Sequence, residues 1–169
     1  MELNQTQADY PDTALIHEQF EAQVKDTPEA MALVFEDTHL TYKQLNEQSN
    51  QLAHYLIAQG IKPDTLVGLC VERSLAMVIG ILGILKAGGA YVPLDPQNPS
   101  ERLLYQIEDA ELALVLTQRS VETQLPRSSA QSVCMDSGEV LTQLRGYSSC
   151  NPNAKGLKSD HLALSLIHI

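Results

Sequence analysis

LVGLCVERSLAMVIGILGILKAGGAYVPLD, residues 66–95, is the stretch of sequence that decides the fold. Its first part, Leu66–Val71, contains only apolar residues and one glycine, which is typical of a strand buried on both faces inside a parallel sheet. Leu75–Lys86 has the length and apolar character of a packed helix, and Ala90–Val92 is apolar again. Because parallel strands need a crossover between them, this order predicts a β-α-β unit.

Glycines mark both the body and the end of the predicted helix. Gly80 and Gly83 carry no side chain, so we expect the helix to pack closely on the sheet through these two positions. Gly88 and Gly89 follow the helix directly, where glycine can adopt the left-handed backbone conformation that closes a helix. The crossover between the two strands is therefore short and tightly packed.

A helix and a small hairpin are predicted before this unit. Apolar residues recur every four positions in Leu15–Lys25, which predicts a helix with one apolar stripe. Met31–Phe35 and Leu40–Tyr42 are short apolar runs on either side of the polar turn Glu36–Thr38, as in a β-hairpin.

A second helix follows the hairpin. Thr41 and Gln44 have the spacing of a capping box, in which each side chain binds an unpaired backbone N–H at a helix start. Leu45, Leu52 and Leu56 give the apolar face of this helix, and Gly60 can close it.

Strand and helix continue to alternate after residue 95. Pro99–Glu101 opens a helix with Leu103, Leu104 and Ile107 directed inward, and Leu112–Leu116 is a third buried strand. Beyond Thr117 the pattern weakens, with a short strand at Val133–Met135 and a polar stretch over residues 148–159. The alternation predicts an α/β fold, a parallel sheet flanked by helices on both faces with right-handed crossovers.

Composition excludes several classes of protein. The 169 residues are 44% hydrophobic and 19% charged, which is the balance of one folded domain. A net charge of −10 repels phosphate backbones and anionic lipids, so we expect no nucleic acid partner and no membrane partner.

Met1–Gln5 has neither a basic region nor an apolar run, which indicates a cytoplasmic protein. The three cysteines lack C-x-x-C spacing, so neither a disulfide framework nor a zinc site is predicted.

The motifs of common catalytic sites are missing. The sequence contains no P-loop, no G-x-G-x-x-G fingerprint and no G-x-S-x-G elbow. The histidines lack metal-ligand spacing: His17, His39, His54, His161 and His168. Asp95 follows a predicted strand, where ligands of open α/β sheets collect, but Asp95-Pro96 is typical of a turn, and we interpret it so. We therefore assign no catalytic, cofactor-binding or metal-binding residue.

Two motifs resemble those of a known family. Leu85–Pro96, LKAGGAYVPLDP, resembles the second core motif of nonribosomal peptide synthetase adenylation domains over its whole length. Leu40–Leu45 is similar to the first core motif, with Gln44 where the family usually has Glu, an exchange that a capping box tolerates. Leu3–Thr6, Tyr10-Pro11 and Ile16–Glu21 resemble the junction between a condensation domain and an adenylation domain.

The resemblance divides the chain into three parts. Residues 1–14 are similar to the linker, residues 15–163 to the N-terminal part of the adenylation domain, and residues 164–169 to neither. After Leu162-Ala163 the family continues into a Thr-Ser-Gly phosphate-binding loop, whereas Leu164–Ile169 read LSLIHI. We expect a truncated gene or a reading error near His161 rather than a genuine short protein.

The resemblance implies the function of a longer parent enzyme. That enzyme would join an amino acid to ATP with magnesium, giving aminoacyl-AMP, and pass the acyl group to the phosphopantetheine thiol of a carrier domain. Its partners would be the condensation and carrier domains of one assembly line. The chain alone would be an inactive, N-terminal part of the large subdomain of an adenylate-forming ligase. Two alternatives stay open: a non-catalytic interaction module, and a fragment of an acyl-CoA or aryl-acid ligase of the same superfamily.

Overall fold

The computed structural model describes residues 14–153 and 156–166. The helices are α1 (Ile16–Asp26), α2 (Tyr42–Ala58), α3 (Leu75–Lys86), α4 (Ser100–Asp109), α5 (Arg119–Glu122) and α6 (Gly138–Arg145). The strands are β1 (Met31–Phe35), β2 (Thr38–Thr41), β3 (Leu66–Cys70), β4 (Ala90–Pro93), β5 (Leu114–Thr117) and β6 (Gln131–Cys134). The predicted linker, residues 1–14, lies outside the described residues except for Ala14, and so do residues 167–169 of the predicted tail.

A four-stranded parallel sheet forms the centre, in the order β4-β3-β5-β6. Leu66 pairs with Ala90 of β4, and Val67 pairs with Leu114 of β5. Strand β3 is buried between two neighbours, as its uninterrupted apolar sequence predicts. Strand β6 confirms the short strand predicted near Val133, although it begins two residues earlier. The predicted α/β fold with a parallel sheet is confirmed.

Helices cover both faces of this sheet. Alternate side chains of β3 point to opposite faces, so that Val67 and Leu69 join a core with α2 and α3, while Cys70 joins a core with α4. The first core is the larger, and Leu52 of α2 is 1% exposed within it. Leu103 of α4 is buried in the second core, as predicted. This layered arrangement leaves the carboxyl ends of the strands together at one edge of the sheet.

The two helical glycines of α3 face different partners. A Cβ atom on Gly80 would lie 2.8 Å from Leu69 Cδ1, so Gly80 allows close packing on β3 as predicted. A Cβ atom on Gly83 would lie 2.6 Å from Leu52 Cδ2, a side chain of α2. The prediction that Gly83 packs on the sheet is therefore wrong, because Gly83 provides the close approach of two helices instead.

The hairpin and the start of α2 form as predicted. Strands β1 and β2 pair antiparallel, but Thr38 belongs to β2 rather than to the turn. The capping box is confirmed: Thr41 N donates to Gln44 Oε1 at 2.9 Å, and Gln44 N donates to Thr41 Oγ1 at 3.2 Å. Gly60 has a φ of 92°, the left-handed conformation that only glycine adopts without strain.

The chain after β5 is more ordered than its sequence pattern indicates. Ser137 caps α6, since its hydroxyl oxygen accepts from Val140 N at 3.2 Å. Residues 163–165 run beside β4: Tyr91 N donates to Ala163 O and Ser165 N donates to Tyr91 O, both at 3.1 Å. Over residues 14–153 and 156–166, no helix has both the length and the apolar character that a bilayer crossing requires.

Candidate functional site

An open cleft of about 850 Å³ lies at the carboxyl ends of β3 and β4. Its walls are mainly apolar and include Leu69, Met77 and Tyr91, and its polar groups include Arg73 and Asp95. Ligands of parallel α/β sheets bind at this edge, because the loops that follow the strands converge there. The cleft is therefore the natural candidate site of this segment.

Asp95 uses its oxygen atoms within its own turn. Its carboxylate Oδ1 accepts from Gln97 N at 2.9 Å, and its backbone oxygen accepts from Asn98 N at 3.0 Å. These hydrogen bonds are those of an Asp that initiates a turn, which is the interpretation that the sequence favours. The Asp95 charge also affects a neighbour: burial, assisted by Asp95, raises the pKa of the Cys70 thiol to about 11.

Polar residues that follow the other strands were missed by the sequence analysis. Gln118 Oε1 accepts from Glu72 N at 2.9 Å, and Gln118 Nε2 donates to Ser74 Oγ at 3.1 Å. These bonds connect the chain after β5 to the chain after β3. Their position in the sequence could have indicated them, because Glu72 and Gln118 are the first charged or amide side chains after their strands. Gln118 thus satisfies the backbone N–H of Glu72 and holds the Ser74 hydroxyl.

In two side-chain pairs at this edge, a hydroxyl or a thiol, each a potential nucleophile, lies beside a carboxylate. Ser120 Oγ donates to Glu72 Oε2 at 2.9 Å, and both residues are exposed. Cys134 Sγ donates to Asp136 Oδ1 at 3.1 Å. Burial, followed by the Asp136 carboxylate, raises the pKa of Cys134 to about 11, so the thiol is protonated at neutral pH. A thiol in that state is a poor nucleophile.

Asp136 has a structural task in this region. Its Oδ1 also accepts from the backbone N–H of Arg119, the first residue of α5, at 2.9 Å. Burial opposes the charged carboxylate, yet the hydrogen bonds from Arg119 N and Cys134 lower the pKa of Asp136 overall. Asp136 therefore ties the end of β6 to the start of α5.

The described histidines have separate surroundings. His54 Nε2 lies 3.0 Å from Cys150 O, and His161 Nδ1 lies 2.8 Å from Asp64 Oδ2. Burial lowers the pKa of His17, and His39 is exposed on β2. His168 lies outside the described residues. Nowhere in the described part of the chain do three His, Cys, Asp or Glu side chains converge as a metal site would require.

A family model and several relatives match this segment. The model described as "AMP-binding enzyme" matches residues 20–164. A component of the linear gramicidin synthase of Brevibacillus parabrevis is 53% identical over 140 residues, 83% of this chain and 2% of that protein. Bacitracin synthase 1 of Bacillus licheniformis is 45% identical over 142 residues, 84% of this chain and 3% of that protein. The chain thus spans only a few per cent of the length of these relatives.

Solved structures agree in fold. The nonribosomal peptide synthetase FmoA3 superposes with a TM-score of 0.85 at 30% identity, covering 95% of this chain and 17% of that one. The N-terminal subdomain of Klebsiella oxytoca NpsA superposes with a TM-score of 0.76 at 20% identity, covering 91% of this chain and 38% of that one, which speaks for the fold alone. The chain belongs to the AMP-binding enzyme family and is homologous to the adenylation segments of nonribosomal peptide synthetases.

Proposed function

We propose that this chain is the N-terminal scaffold of an enzyme that activates an amino acid with ATP. In the proposed reaction the amino acid carboxylate attacks the α-phosphorus of ATP, so that aminoacyl-AMP forms and pyrophosphate leaves. A phosphopantetheine thiol of a carrier domain then attacks the acyl carbon, and AMP leaves. The observation that carries the proposal is the 53% identity over 140 residues with the linear gramicidin synthase component.

We infer that the described residues supply a framework for this chemistry and not its reacting groups. Asp95 Oδ1, Gln118 Oε1 and Asp136 Oδ1 each accept from a backbone N–H, and the Cys134 thiol is protonated at neutral pH. Among the described residues no three His, Cys, Asp or Glu side chains converge, so they form no preassembled metal cage. We therefore propose that the ATP and magnesium sites lie elsewhere in the longer enzyme, and that residues 1–169 alone are inactive.

The proposed partners follow from the proposed reaction. Condensation and carrier domains of one assembly line would deliver and receive the acyl group. A structural neighbour, NpsA-ThdA, is an artificially fused adenylation and carrier-protein di-domain that superposes with a TM-score of 0.79 at 21% identity, a likeness in fold. We propose a cytoplasmic location, where ATP and amino acids are available, and neither nucleic acid nor a membrane as a partner.

Acid-dependent exchange of pyrophosphate into ATP tests the proposed reaction. The longer gene product would be assayed with a panel of amino acids, aryl acids and fatty acids, each at the same concentration. We expect exchange above the acid-free background with one or a few amino acids. Exchange supported only by an aryl or fatty acid would replace the amino acid substrate with that class, and exchange with none would overturn the ligase proposal.

A further inference from the structure

A buried lysine connects the three helices α1, α2 and α3. Lys86, the last residue of α3, has a fully buried side chain, and its ammonium group forms an ion pair with the Glu21 carboxylate of α1. The same ammonium group donates to Asn46 Oδ1 of α2 at 2.9 Å and lies 5.7 Å from the centroid of the Phe20 ring. A buried ammonium without such partners is costly, so Lys86 holds α1 and α2 in fixed positions.

The hydrogen-bonded chain continues from Asn46 to a distant segment. Asn46 Nδ2 donates to Asn151 Oδ1 at 2.9 Å, and the same oxygen accepts from Asn50 Nδ2 at 2.9 Å. Asn50 Nδ2 also donates to Ser149 O at 2.7 Å. Residues 46 and 50 lie one helical turn apart, so one stripe of α2 binds residues 149–151. Glu21, Lys86, Asn46 and Asn151 thus form one continuous polar chain.

Both ends of this polar chain have little apolar anchoring. Helix α1 contains no fully buried residue, and its Ile16 side chain is 59% exposed. Residues 149–151 are all exposed, and polar atoms make the contacts described above. Segments of this kind open more easily than the core, because few apolar contacts must be broken. Besides the polar chain, α1 has the contact between the Phe20 and Tyr42 rings, and residues 149–151 have the contact between His54 Nε2 and Cys150 O. Among the hydrogen bonds of the described residues, those of the polar chain are the one set that joins the two ends.

We propose that Lys86 and Asn46 couple the docking of α1 to the docking of residues 149–151. The Asn46 side chain keeps one orientation because its oxygen accepts from Lys86 while its nitrogen donates to Asn151. Displacement of Glu21 leaves Lys86 without its counter-charge and disturbs the hydrogen bond from Lys86 that orients Asn46. The hydrogen bond from Asn46 Nδ2 to Asn151 Oδ1 is weakened in turn. Coupling of this type acts equally in both directions.

Two reciprocal measurements on the whole 169-residue chain test the coupling. A nitroxide on Cys150, which is exposed while the other two cysteines are buried, reports the mobility of residues 149–151 through its electron paramagnetic resonance line shape. Glu21→Gln, which keeps the shape of the side chain but removes its charge, should increase the mobile fraction of that label several-fold. Lys25→Gln, which removes a charge from an exposed position of the same helix, is the matched control and should leave the line shape unchanged.

The reverse measurement starts from the other end. Asn151→Ala alters an exposed residue and should raise amide hydrogen exchange in α1 about tenfold, while the amides of β3 and β5 stay protected. A Cys150 label that does not respond to Glu21→Gln, or an α1 that does not respond to Asn151→Ala, would overturn the coupling. Faster exchange throughout the sheet would also overturn it, because the polar chain would then support the whole fold and not two linked segments.

Discussion

Tyr91 and Leu164 form a parallel β-bridge at the edge of the main sheet. Residues 163–165 therefore run in the same direction as β4, toward the carboxyl ends of the strands where the cleft lies. Leu164 is the last residue that the family model matches. The predicted departure from the family over residues 164–169 stays a prediction.

Asp64 anchors the approach to this bridge, which gives a first prediction. Its carboxylate accepts from His161 Nδ1 at 2.8 Å and from Leu162 N at 2.9 Å. The hydrogen bond to Asp64 is the main reason why the pKa of His161 is raised above 6.5. We expect Asp64→Asn to lower the His161 pKa toward 6.5 in an NMR titration. Asp160→Asn, which removes a neighbouring charge with a smaller effect, should leave most of the elevation in place.

The same pair predicts a pH dependence of docking. Because the His161 pKa is raised, its contribution is complete below pH 6.5 and is lost as pH rises through the folded-state pKa. The Asp64 pKa is lowered below 3.8 by Leu162 N and His161, so its contribution is complete above pH 3.8 and is lost as pH falls further. After correction for intrinsic rates, amide exchange of residues 163–165 should be slowest between these limits. A corrected exchange rate that does not change as His161 titrates would contradict this assignment.

The close contact of Gly83 with Leu52 predicts that a larger residue at this position of α3 lowers stability. In Gly83→Ala the new Cβ would lie 2.6 Å from Leu52 Cδ2 and 2.8 Å from Leu52 Cγ. Such overpacking costs about 1–3 kcal/mol, against about 1 kcal/mol gained in helix propensity, so we expect a net loss of stability. Urea unfolding measures it. Gly138→Ala, where nothing lies within 4 Å of the added Cβ, should be neutral or slightly stabilising, and an equal loss in both variants would exclude the packing explanation.

The capping box at the start of α2 predicts the effect of a single hydroxyl. Thr41→Ala removes the oxygen that accepts from Gln44 N, and loss of such a cap costs about 1 kcal/mol. Thr41→Ser keeps the hydroxyl and should retain most of that stability. Chemical unfolding at constant m-value distinguishes the two, and a serine variant as unstable as the alanine variant would show that the threonine methyl group matters instead.

The three cysteines should differ in reactivity. Cys70 and Cys134 are buried and their pKa values are raised to about 11, whereas Cys150 is exposed. Because the thiolate is the reactive form, we expect one rapidly alkylated thiol in the folded chain at pH 8 and three in urea. Cys150→Ser should abolish the rapid phase. Rapid labelling of Cys70 or Cys134 in that variant would mean that the sheet opens more readily than its packing indicates.

Local sequence patterns were sufficient to predict the helices and strands of the fold. Thr41 and Gln44 carry their capping signal within four residues, and the unbroken apolar run of β3 indicates burial without any partner being known. The orientation of Gly83 could not be predicted in this way. Gly80 and Gly83 lie roughly 60° apart around the helix, so one can face a strand and the other a helix. Only the position of α2 decides between these surfaces.

Long-range polar contacts could not be predicted from the sequence either, because they depend on where distant elements pack. Asn50 is separated by 101 residues from Asn151, and nothing in a helical asparagine indicates so distant a partner. The role of Asp95 was accessible because its hydrogen bonds reach only to Asn98. Glu72 and Gln118 fall between these cases, since each marks the end of a strand but their mutual bond depends on the pairing of β3 with β5.

We propose that these residues form the framework of an amino-acid-activating enzyme whose reacting groups lie elsewhere in a longer chain. Pyrophosphate exchange into ATP, measured side by side for the longer gene product and for residues 1–169, is the decisive experiment. We predict amino-acid-dependent exchange by the longer product and none above background by residues 1–169 at the same molar concentration. Exchange catalysed by residues 1–169 alone would contradict this proposal, because the reacting groups would then lie within the framework itself.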